Sequence, residues 1–169
     1  ESGWWGHNAR IHNRLSHVPL IVYHSKMDSH IESSPVEVRS LCDYLIRCAD
    51  KGLTASLDTS DVALVEHYGA DTGTALGFLD QYDNNAEEYK KYEVAAITNE
   101  LKLSWDCEDH VQLHNIRSDP NETYRLSDHE QYDDEIKNLQ AEVVSRLNHP
   151  QETHDSYREG SRQALDQDA

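Results

Sequence analysis

Apolar residues are spread unevenly along this chain, and their spacing passes from continuous to helical to alternating. Residues 17–23 (HVPLIVY) form an unbroken, β-branched run, the pattern of a strand buried on both faces of a parallel or mixed sheet. Pro19 suits only the beginning of such a strand. Ser34, Pro35 and Glu37 then spell a helix start, with Ser34 as cap, Pro35 at the first helical position and Glu37 closing a capping box. Val38, Leu41, Cys42, Leu45, Cys48 and Ala49 recur at helical spacing, which predicts a core-facing stripe, and Gly52 is placed to end the helix.

Residues 53–61 read as a loop and 62–68 (VALVEHY) as a strand stopped by Gly69; residues 69–88 lack periodicity and read as a surface excursion. Two further strands are expected at 92–98 and 101–105, joined as a hairpin through Asn99 and Glu100. A third, 111–116 (VQLHNI), alternates after a turn at 107–110. A capping box from Ser127 to Glu130 announces a second helix, with Ile136, Leu139, Val143 and Leu147 along one side and Pro150 as its end. Residues 149–169 are polar and unpatterned, and a disordered or loosely docked tail is expected there.

Composition narrows the partners. Asp and Glu number 32 against 15 Lys and Arg, for a formal charge of −17, which repels phosphate backbones and anionic lipid. Neither nucleic acid nor membrane is expected as a partner, and the run at 18–23 is too short to span a bilayer. Acidity spread along the whole chain also matches adaptation to high salt, where self-repulsion is screened. Three cysteines make no disulfide framework, and no pair forms Cys-x-x-Cys. On one helix Cys42 and Cys48 would lie about 9 Å apart on different faces, too far to bridge.

The acidic stretch Asp119-Pro120-Asn121-Glu122-Thr123 offers three readings: calcium loop, glycan acceptor or chain corner. A calcium loop of the EF-hand type needs a central Gly that residues 119–130 lack. Asn121-Glu122-Thr123 fits the glycosylation pattern, one that arises often by chance. Asp before Pro favours a turn, so the corner is the preferred reading. His7, His12 and His17 recur every five residues, a spacing that shares neither a helix face nor a strand face, so no metal site is assigned to them. His17 reads instead as a framework histidine beside the strand. Asp133, Asp134 and Glu135 suit an early helical turn. Neither a Gly-x-Ser-x-Gly elbow nor a Walker motif is present.

Taken in order, two blocks carry a resemblance. The first is Trp5-Gly6-His7, then Val18-Pro19-Leu20-Ile21-Val22, then the helix from Pro35 through Leu45 to Gly52; the second is Leu101-Lys102-Leu103, Leu113-His114-Asn115-Ile116, the Asp119-Pro120-Asn121-Glu122 turn and Leu126. Together they resemble the C-terminal part of the sulfatase family, over about residues 1–148. The resemblance implies an α/β chain with a partial alkaline-phosphatase-like fold: the end of the large mixed sheet within 1–61, then a small C-terminal antiparallel sheet packed by a final helix within 62–148, then the tail. It also implies a sulfuric ester hydrolase whose full length uses a formylglycine from Cys/Ser-x-Pro-x-Arg and a calcium ion held by Asp and Asn oxygens.

None of Cys42, Cys48 or Cys107 sits in that nucleophile motif, and the metal-ligand motifs are absent. The implied picture is therefore a C-terminal portion, inactive and calcium-free alone, meeting a sulfate-ester small molecule or glycan only when completed by an N-terminal part. His7 matches the position where the family places a Lys or His near the sulfate, and a donor there would bind an anion. Two other readings stand beside it. One is a phosphodiesterase or phosphonate hydrolase of the same superfamily; the other is a non-catalytic acidic binding module or gene relic.

Overall fold

The alternation in the middle of the chain becomes an antiparallel meander. A computed structural model describes residues 11–12, 16, 18–23, 29, 31–51, 57–69 and 91–167. Strands β1 (Ala63–His67), β2 (Glu93–Ile97), β3 (Leu101–Asp106) and β4 (Val111–Asn115) pair in chain order as one four-stranded sheet. The β2–β3 turn is closed by Thr98, whose N–H donates to the Leu101 carbonyl at 2.8 Å and whose Oγ1 accepts the Leu101 N–H at 2.8 Å. Thr98 supplies the turn closure that Asn99-Glu100 lacks.

Register sorts the side chains onto two faces. Val94 opposes Trp105, Ala96 opposes Leu103, and Leu103 opposes Leu113, so these apolar groups share one face. Helix α2 (Asp133–Arg146) covers that face with Leu139 and Val143, and Tyr92, Cys107 and Leu126 complete the core. Asp133, Asp134 and Glu135 occupy the first turn of α2 and Arg146 the last, each sign placed where the helix dipole favours it. The opposite face carries Ala95, Lys102, Ser104 and His114, all buried.

Several expectations are corrected. Residues 18–23 form no strand and are exposed, with Ile21 85% accessible. A strand needs a partner, and among the described residues none pairs with this run. Helix α1 (Val38–Lys51) forms, but the residues predicted to face a core include Val38 and Leu45, both exposed, and the buried residue is Tyr44. Glu37 closes no capping box. Its Oε1 accepts the Leu64 N–H at 2.9 Å and pairs with Arg146, while Oε2 pairs with Arg39. Burial raises the Glu37 pKa, but these donors outweigh it and hold the carboxyl below its usual value.

The second helix also starts later than Ser127. A single 3-10 turn (Glu130–Tyr132) leads into α2, and neither start has a side-chain cap. Pro150 begins a helix rather than ending one: α3 (Pro150–Gln167) forms where a disordered or loosely docked tail is expected. Its anchors come from elsewhere in the chain. Pro150 is fully buried, the His149 ring stands edge-on to Trp105 at 4.6 Å, and Tyr157 packs on Tyr68 at 5.7 Å. The protein is thus a mixed α/β chain, with one small antiparallel sheet and C-terminal helices.

Candidate functional site

A lysine lies at the centre of the second sheet face. Strand alternation points Lys102 away from Leu103 and Trp105, and the chain around Ile11 and the 119–124 corner cover it completely. Its Nζ donates to the Ile11 carbonyl and, at 2.8 Å, to the Glu122 carboxylate, whose side chain is only 9% accessible. Taking both charges out of water is costly unless each meets the other, and here they do. His12 Nδ1 stands 3.8 Å from the second Glu122 oxygen.

The corner is built to deliver Glu122. Asn115 Oδ1 accepts the N–H groups of Arg117 and Ser118, which turns the chain at the end of β4. Asp119 then accepts the Thr123 N–H at 2.7 Å, the Tyr124 N–H at 2.8 Å and the Thr123 hydroxyl at 3.0 Å. The Tyr124 N–H is foremost among the donors that hold the Asp119 carboxyl below its ordinary pKa. Glu122 adopts a left-handed φ of 54°, a strained choice for a residue with a Cβ. The corner reading holds geometrically, since Asp119 spends its oxygens on its own loop.

His114 completes this polar face. It is 3% accessible, and its Nδ1 lies 3.0 Å from the Tyr124 carbonyl, which assigns the proton to Nδ1 as donor. Burial is the largest influence on this ring and lowers its pKa, against the raising effect of Glu122. A base whose pKa is depressed on folding takes up its proton more readily when unfolded, so stability falls as pH drops from the unfolded value of about 6.5. In thermal melts between pH 8 and pH 5, the His114→Gln variant should lose part of the decline that wild type shows below pH 6.5. Parallel curves for the two proteins would count against this role.

A second cluster sits on the β3–β4 turn. Ligand atoms of Asp106, Glu108 and His110 all lie within 4.8 Å of one another. Asp106 Oδ1 accepts the backbone N–H groups of Glu108 and His110, so the turn itself orients the carboxylate. The Lys91 ammonium stands 2.6 Å from Glu108 and already neutralises part of the cluster. One nitrogen and two carboxylates suit a transition metal better than calcium, which prefers an all-oxygen shell. This triad does not identify the calcium that the resemblance implies for a full-length relative.

Of the residues singled out from sequence, His7 and His17 lie outside the described residues. The corner, Lys102 and His114 come together; Asn121 is exposed on that corner, while the Thr123 hydroxyl of its sequon is bonded to Asp119. The burial of Lys102 was missed, and the only local signal is its place between two apolar residues on an alternating strand. No model of a known protein family matches the chain, and no curated protein matches it.

Proposed function

We propose that this chain is the C-terminal part of a sulfatase-like sulfuric ester hydrolase and is inactive alone, because it lacks the nucleophile and calcium-ligand motifs. The observation that carries the proposal is the Lys102–Glu122 pair. It joins the Leu101-Lys102-Leu103 strand to the Asp-Pro-x-Glu turn, so two pieces of the second block of the resemblance depend on each other physically. The exposed run at 18–23, together with Val38, Leu45 and Ile46 on α1, supports the same reading. Exposed large apolar groups on both segments are what a covering part would meet.

On this reading the partial alkaline-phosphatase-like fold is completed by an N-terminal part that brings calcium and the nucleophile, and the substrate is a sulfate ester of a small molecule or glycan. His7 then binds the sulfate. The purified chain should hydrolyse no aryl sulfate above background, with or without calcium, and calcium-dependent turnover by it would overturn the proposal. When completed by an upstream part carrying Cys/Ser-x-Pro-x-Arg, the enzyme should lose kcat/KM on His7→Ala.

A non-catalytic acidic module is the second reading. The core formed by the sheet and α2, with buried residues from Tyr92 to Val143 and Val62, Leu64 and Leu147 packed against them, favours it. A cooperative, monomeric melt of the isolated chain with no exposed-surface dye binding would select the module over the fragment.

A further inference from the structure

Where β1 ends, against the joint between α2 and α3, a cleft of about 460 Å³ opens to solvent. Its walls differ in character. Val144 and Leu147 supply apolar surface, Ser145 and Thr153 supply hydroxyls, and Glu66 and Tyr68 project from the strand end. The Glu66 carboxylate is held from one side only: Tyr92 Oη donates to Oε1 at 2.7 Å and Tyr68 Oη to the same atom at 3.0 Å. Among the described residues no donor reaches Oε2. The Tyr68 ring is braced edge-on by Tyr92 at 5.3 Å and by the tilted Tyr157 ring at 5.7 Å, yet Tyr68 stays 45% accessible.

Charge decides what such a cleft can take. Arg146 also lines it, but that guanidinium is committed to Glu37, to Glu142 at 3.4 Å and to the Val62 carbonyl at 2.9 Å. Among the described residues lining the cleft, the charge left unanswered belongs to Glu66, on a chain of net −17, so an anion is disfavoured. A bare metal ion would meet a single carboxylate, since the described cluster of three metal-type ligands lies elsewhere, on the β3–β4 turn. An oriented carboxylate beside an accessible aromatic face and an apolar wall matches a different chemistry. We propose that this cleft binds an organic ammonium ion, with Glu66 as counter-ion, the Tyr68 ring as one wall and Val144 and Leu147 against the alkyl chain. The site is independent of the sulfatase reading.

The test is a titration of the isotope-labelled full chain with n-butylammonium chloride at fixed ionic strength, followed by amide chemical shifts. Saturable shifts confined to the neighbourhood of Glu66, Tyr68 and Thr153 are expected. Glu66→Gln should weaken binding about tenfold or more, as loss of a charge-assisted contact does, and Tyr68→Leu should weaken it several-fold. Ser145→Lys places a competing ammonium at the cleft without touching the tyrosine–carboxylate contacts, and should abolish the shifts while the protein keeps its melting temperature. Shifts scattered over the whole acidic surface, equal shifts with sodium chloride, or unchanged binding in either Glu66→Gln or Ser145→Lys would overturn the proposal.

Discussion

Replacing Glu122 with Ala should lower the folding stability by about 3–5 kcal/mol, the cost of stranding one charge of a buried pair. The lysine it abandons has no solvent exposure and, among the described residues, is left with the Ile11 carbonyl alone to accept from its ammonium. Two further variants separate the causes. Lys102→Met combined with Glu122→Ala removes both charges and should recover most of the loss, because an apolar group of similar length suits a buried position. Glu122→Gly should cost about 1 kcal/mol less than Glu122→Ala, since the φ of 54° strains alanine and leaves glycine unstrained. Denaturant unfolding of the four proteins measures all of this. A Glu122→Ala variant within 1 kcal/mol of wild type would mean that water reaches Lys102.

The second large effect contrasts two leucines that look alike in sequence. Leu103→Ala should cost about 2–5 kcal/mol, because Leu103 is fully buried between sheet and α2 and its removal leaves a cavity. Leu45→Ala should change stability by less than about 0.5 kcal/mol, because Leu45 is 65% accessible on α1. Equal losses would show that the outer face of α1 is covered in the folded chain.

That contrast shows where local pattern stops being informative. All four strands were legible because alternation and turn residues are written within a few positions: the predicted spans 62–68, 92–98, 101–105 and 111–116 each contain or nearly match the observed strand. The existence of α1 was legible for the same reason. Its orientation was not, since periodicity reveals an apolar stripe without revealing what the stripe meets, and Tyr44 turned inward instead. Residues 18–23 have a strand's composition, but pairing is a property of two segments. Helix α3 escaped notice because Trp105 and Tyr68, which hold its start and middle, lie far back in the chain. Within the candidate site, the Asp119 turn was legible from Asp-Pro chemistry. The ion pair was hidden because it joins residues 20 positions apart and places a lysine where exposure is the usual outcome.

Complete enclosure also gives Lys102 a distinct chemical fate. Amine-acylating reagents act on an accessible ammonium's free-base form, and trypsin needs a lysine side chain to enter its own specificity pocket. Both routes are closed while the 119–124 corner sits in place. Modification or cleavage at this one lysine therefore clocks the opening of the corner, while the lysines at the surface react without delay.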